Sequence, residues 1–140
     1  MRFFVDEDLD SPSFVSPLQA AGLTVVRHRE QFQKGAPDTV WIPSVTEQGL
    51  IILTKNTKML FTPIEVQAIR VTAARVLFLH GSKVSRHPDL GALLVRSQPR
   101  IAKFFETDVL PRVGVLKRQP HSRDPNGAMS GYIEVPAAFR

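Results

Sequence analysis

LIILTKN, Leu50 to Asn56, is a wholly apolar run that stops abruptly on Thr54, Lys55 and Asn56. Its four apolar residues do not alternate with polar ones. A run of this kind suits a short strand covered on both faces, as in a parallel sheet between helical layers. The polar residues that follow then lie at the carboxyl edge of the strand, where open parallel sheets bind their ligands. An Asp at position 56 would invite a metal ion; the sequence has Asn.

Outward from this run, short β-rich segments alternate with longer amphipathic ones, the rhythm of βαβ units. Strands are predicted at Arg2–Val5, Leu23–Arg27, Leu50–Thr54, Arg75–Leu79 and Val113–Lys117. Helices are predicted up to Gly22, over Asp38–Gln48 with Gly49 behind it, over Pro63–Ala73 and over Pro88–Phe105. The expected fold is a three-layer α/β/α sandwich with a mostly parallel five-stranded sheet. Pro17, Pro43 and Pro99 fall inside helical periods and predict broken helices, with Ser16 capping a second short helix at Pro17. Residues 1–118 read as one domain. Residues 119–140 read as a tail that joins an interface, with a partner or in a homodimer.

A chain of 140 residues that is 43% apolar can bury a core without staples. It has no Cys, which removes disulfides and thiolate metal sites and fits a reducing compartment. The start, MRFFVDEDLD, turns acidic after one short apolar run, unlike a secretory signal, and no later run is long enough for a membrane helix. A cytoplasmic protein is expected, with no membrane role. The formal charge is +5 and the pI about 10.1, which favours polyanionic partners on electrostatic grounds. Against that basic background, Asp6, Glu7, Asp8 and Asp10 lie within five positions.

Three polar clusters fall at the same sheet edge: DED after the first strand, Arg27 to Asp38 after the second, and TKN after the third. Asp6 and Asp8 at strand spacing would share a side, with Glu7 turned away. Such oxygen donors suit Mg²⁺ or Mn²⁺, although Asp8, Asp10 or Ser11 could equally cap the next helix. Asp38, by itself, reads as a first-turn carboxylate stabilised by free amides. His28 follows the second strand and is a candidate phosphate contact against a default structural role. Lys55, Lys58, Arg70, Arg86 and Arg100 could contact phosphates, with solvated surface as the default for each. No glycine-rich nucleotide loop or nucleophile elbow is present. A phospho-acceptor receiver domain would need an Asp at the end of the third strand, where this chain has Asn56.

FFVDEDL, AAGLTVVRH, GAPDTVWIPSV and GLIILTKN, in this order and spacing, resemble successive motifs of PIN-like domains, specifically the VapC-type toxin group. The resemblance runs from about Arg2 to Phe105. It implies a Mg²⁺-dependent ribonuclease (Mn²⁺ as a substitute), the toxin half of a toxin–antitoxin pair, with RNA as substrate and a cognate antitoxin as partner. It carries catalytic and metal-binding roles onto Asp6 and Asp38, and places the third family acid on Asn56. Asp8 is then the candidate to restore the missing charge. The alternative is a PIN-like module that binds RNA or protein without cutting, because an amide in place of a carboxylate removes a full charge from a divalent-ion site.

Overall fold

The structure, a computed structural model, describes residues 1–80, 86–123 and 129–140. The strands are β1 (Arg2–Val5), β2 (Thr24–Arg27), β3 (Ile51–Thr54), β4 (Arg75–Leu79), β5 (Arg112–Arg123) and β6 (Met129–Glu134). They form one sheet in the order β2-β1-β3-β4-β5-β6, parallel throughout except for the antiparallel β5–β6 pair. The helices are α1 (Pro12–Ala20), α2 (His28–Gln31), α3 (Asp38–Glu47), α4 (Pro63–Thr72), α5 (His87–Arg96) and α6 (Gln98–Phe105). Tight 3₁₀ turns occupy Glu7–Leu9, Thr57–Phe61 and Ala137–Phe139.

Strand alternation divides the core in two. Phe3, Val5, Ile51, Leu53, Leu77 and Leu79 point to the layer of α1, α5 and α6, where they meet Phe14, Leu18, Leu90, Leu94 and Ile101. Phe4, Ile52, Val76 and Phe78 point the other way, to Trp41, Ile42 and Val45 of α3 and Ile69 of α4. This is the three-layer α/β/α arrangement, and Ile51–Thr54 is buried on both faces as its composition requires. Gly22 and Gly49 follow α1 and α3 with φ of 81° and 75°, the left-handed backbone that ends a helix and that glycine adopts without strain.

The sheet has six strands rather than five. The sixth comes from the tail, whose Met129–Glu134 pairs along β5. Pro120 hid this extension, since proline ordinarily argues against a central strand. The ladder accommodates it through a register shift between Arg118 and Arg123. Residues 124–128 of the tail lie outside the described residues. Two expected helix breaks do not occur: α1 runs through Pro17 and α3 through Pro43. Each proline leaves one carbonyl without its helical donor, that of Ser13 or Thr39, and both of those residues are exposed to water. Pro99 does act as predicted, splitting the long C-terminal helix at Ser97 and starting α6. Among the described residues no helix is long and apolar enough to cross a membrane.

Candidate functional site

The chain leaves β1 for β2 on one side and returns to β3 on the other, so the connections diverge between β1 and β3. A crevice opens at that point, outside the carboxyl ends of the two strands. It holds about 550 Å³ and is lined by Asp6, Glu7, Asp8, Asp38, Lys55 and Asn56. Five of the predicted site residues, Asp6, Asp8, Asp38, Lys55 and Asn56, therefore meet at one place although β1, α3 and β3 are far apart in sequence.

Asp6 is anchored from three directions. Its amide donates to Leu53 O at 2.9 Å, continuing the β1–β3 ladder. Its Oδ1 accepts from the Glu7 amide at 2.6 Å, capping the first 3₁₀ turn, and its Oδ2 accepts from Thr54 Oγ1 at 2.8 Å. Burial, then repulsion from Asp8 and more weakly from Asp38, pushes its pKa from 3.8 up to about 7, against the two hydrogen bonds that favour the charged form. Asp8 is also raised, chiefly by burial, with Lys55 and Thr54 pulling the other way. Asp38 opens α3 and its Oδ1 accepts from Trp41 Nε1 at 2.9 Å. Glu65, in the first turn of α4, is raised by burial and by its hydrogen bond with Asp38 and that group's charge. Asn56 donates its backbone amide to Thr54 Oγ1 at 3.1 Å.

Glu7 and Asp10 do different work from Asp6 and Asp8. Both Glu7 oxygens accept from the Gly35 amide, at 3.0 and 3.1 Å. Asp10 is forked by Arg27 Nε at 2.6 Å and Arg29 Nε at 3.0 Å. Burial works against its charge, but those bonds outweigh burial and hold its pKa below the usual carboxylate value. Lys55 Nζ donates to His87 Nε2 at 2.9 Å, which makes Nε2 an acceptor and leaves the proton on Nδ1 to donate to Ser11 Oγ at 2.6 Å. Burial and the Lys55 charge both lower the His87 pKa, in keeping with a neutral ring. Arg86 is exposed at the N-cap of α5, next to His87. His28 is not in the crevice: it is 2% exposed and packs against Phe4 and Phe32.

Sequence reading missed Thr54, Glu65 and His87. Thr54 was visible as a polar end to a buried strand, whereas Glu65 looks like any acid at a helix start and His87 like any exposed residue before a proline.

The expected Mg²⁺ or Mn²⁺ site is not supported, and with it the expected ribonuclease and metal-binding protein. Among the described residues no group of three or more His, Cys, Asp or Glu side chains could hold a metal ion. The acids are close enough to shift one another's pKa, but their oxygens already serve Thr54, the Glu7 amide and Trp41, and position 56 supplies an amide. Divalent-ion affinity falls with each ligand charge removed. The residues present do not fit the metal that the resemblance implied.

A parallel sheet that delivers Asp6 and Asn56 to one crevice, with Asp38 supplied by a helix beside it, is the arrangement of a PIN-like α/β/α sandwich. Residues 1–81, more than half of the chain, match the family model described as PIN like domain, and the chain belongs to that family. No curated protein and no solved structure matches it.

Proposed function

We propose that this chain is a non-catalytic PIN-like binding module whose acidic crevice takes a basic side chain from a protein partner. The observation that carries this reading is the unbalanced charge of the crevice. Among the described residues the ion pairs involve Asp10 and Glu134, and none reaches Asp6, Asp8 or Asp38. An arginine or lysine from a partner would supply the cation together with directed donors. The helices that carry Asp38 and Glu65 also carry exposed Val40 and Ile64, at 56% and 66% exposure, and Phe61 just before α4 is 84% exposed. These apolar side chains would give such a partner something to bury. A small antitoxin-like protein is the kind of partner that the resemblance to the VapC-type group supports.

The reading is tested with an arginine-containing decapeptide and the purified chain in EDTA, by calorimetry at pH 6 and pH 8. A cation that needs Asp6 ionised must displace its proton below pH 7, so affinity should be about tenfold weaker at pH 6 than at pH 8. Asp6→Asn should weaken binding at pH 8 and remove the pH dependence. Unchanged affinity in Asp6→Asn would sink the proposal. A second reading, RNA binding without cleavage, is favoured by the +5 charge. It predicts strongly salt-dependent RNA binding that Lys55→Ala and Arg86→Ala weaken and Asp6→Asn does not.

A further inference from the structure

We propose that His87 is a positioning residue for the acidic crevice: its ring holds the Lys55 ammonium away from Asp8 and so leaves the carboxylates to a cation from outside the chain. This deepens the reading of the crevice given above and rests on it. Lys55 lines the crevice together with Asp6, Asp8 and Asp38, yet among the described residues no ion pair reaches any of the three acids.

The Lys55 side chain has a choice of partners. It leaves the chain directly after Thr54, the last residue of β3, and both its amide and its ammonium favour the charged form of Asp8. A carboxylate is ordinarily the stronger partner, because a hydrogen bond between two charged groups is about twice as strong as one between neutral groups. Lys55 Nζ nevertheless meets His87 Nε2 at 2.9 Å. The lysine stem is flexible, so the partner whose position is fixed beforehand decides where the ammonium sits.

The His87 ring is fixed from α1. Ser11 caps that helix, its Oγ accepting from the Phe14 amide at 3.3 Å, and the same oxygen lies 2.6 Å from His87 Nδ1 and 3.2 Å from Ser13 Oγ. With its own proton turned to Ser13, Ser11 Oγ keeps a second lone pair for Nδ1–H. The neutral ring therefore carries its proton on Nδ1 and presents a bare Nε2 to Lys55. The Phe14 ring meets the imidazole edge on at 6.5 Å, and Pro88 restricts the backbone of the residue before it. The hydrogen bonds from Ser13 through Ser11 and His87 to Lys55 thus tie the first turn of α1 to the rim of the crevice.

The test is a carbon-13 titration of the carboxyl groups in the full chain for wild type, His87→Leu, Lys55→Gln and the double variant, with the ring nitrogen-15 shifts of His87 read at pH 8. His87→Leu keeps apolar bulk beside Phe14 and removes the acceptor. The freed ammonium should then move to Asp8, lower the midpoint of its titration and weaken the decapeptide about two- to fivefold, the weight of one partly exposed ion pair. In the Lys55→Gln background the same change should do neither, which separates positioning of Lys55 from a structural effect of the histidine. The ring shifts should place the proton on Nδ1. The proposal is overturned if Asp8 titrates alike in wild type and His87→Leu, if the shift persists without Lys55, or if the wild-type ring carries its proton on Nε2. A wild type that binds no decapeptide, with the carboxyl titrations changing as stated, would refute the reading of the crevice and still support the role of His87.

Discussion

Replacing Asp6 by Asn should make the protein more stable at pH 8 and leave its stability nearly unchanged at pH 4. In the folded chain Asp6 holds its proton up to about pH 7, and in the unfolded chain it loses it near 3.8. Below 3.8 both states are protonated and the group contributes no difference. Between 3.8 and 7 only the unfolded state releases the proton, so stability falls as pH rises, and above 7 the loss is complete. That gap corresponds to about 4 kcal/mol, at about 1.4 kcal/mol for each pH unit. A domain of this size has only about 5–15 kcal/mol in total. Asn resembles the protonated acid: its Oδ1 can still accept from the Glu7 amide, and its Nδ2 can donate to Thr54 Oγ1, which then turns its own proton toward Asp8. Urea unfolding at pH 4, 6 and 8 should show the variant's advantage growing to about 2–4 kcal/mol at the highest pH. Carbon-13 titration of the wild-type carboxyl gives the pKa directly. A stability difference independent of pH, or an Asp6 carboxyl that titrates below 5, would refute the reasoning.

Thr54→Val keeps the shape of a fully buried side chain but removes the donor to Asp6 Oδ2 and the acceptor for the Asn56 amide. It should cost about 1–3 kcal/mol, more at pH 8 than at pH 5, and raise the Asp6 pKa further, because the lost bond favoured the charged form; the same unfolding and carbon-13 measurements check both. Gly114→Ala would place a methyl 2.5 Å from Ile133 Cγ2 and 2.9 Å from the Phe104 ring. Such overpacking should destabilise by about 1–3 kcal/mol, visible as a lower urea midpoint, whereas an unchanged midpoint would show that β6 does not press on β5 as described.

The parts of the fold that were legible in the sequence are those where one signal had no competitor. Arg75–Leu79 is a strand in both readings because five residues rich in branched side chains sit between Ala74 and His80 with nothing to break them. Asp38 is the first residue of α3, as its place after Gly35-Ala36-Pro37 suggests. The misreadings arose where a local rule met a tertiary one. Pro17 and Pro43 ought to break helices, but each leaves its orphaned carbonyl on a residue bathed by water, so the penalty is small and the buried faces of α1 and α3 keep the helices whole. β6 was missed because its support is tertiary, from its pairing with β5 and from the close approach of Gly131 to Leu93 and Ser97, and no local period reports such contacts. In the site, the convergence of Asp6, Asp8 and Asn56 followed from setting the polar ends of parallel strands at one sheet edge, whereas the part of Asp38, by itself a helix-start carboxylate, rested on the resemblance to PIN-like domains. The use each oxygen is put to was not legible, since that depends on Trp41 and Thr54 side chains whose direction only packing decides.

The same packing explains how a PIN-like scaffold can keep its carboxylates together without a metal-ligand set. Asp6 cannot leave the crevice, because its backbone is part of the β1–β3 ladder and its side chain caps the turn that follows. Its negative charge is therefore placed beside Asp8 and Asp38 by the fold, whatever that costs. The nearest cation in the crevice does not remove the strain, since the Lys55 ammonium is bonded to His87 and the imidazole is tied in turn to Ser11. Two responses remain open to Asp6: it keeps a proton, as its pKa near 7 records, or it meets a cation brought by another molecule. The first needs no partner and costs stability as pH rises. The second recovers that stability on binding, so the proton released when a basic side chain enters is a direct measure of how far the crevice is built for a partner. At pH 6, where most of Asp6 is protonated, binding of the decapeptide should release close to one proton, read from the dependence of the calorimetric heat on the buffer's ionisation enthalpy; release of none would place the peptide elsewhere on the surface.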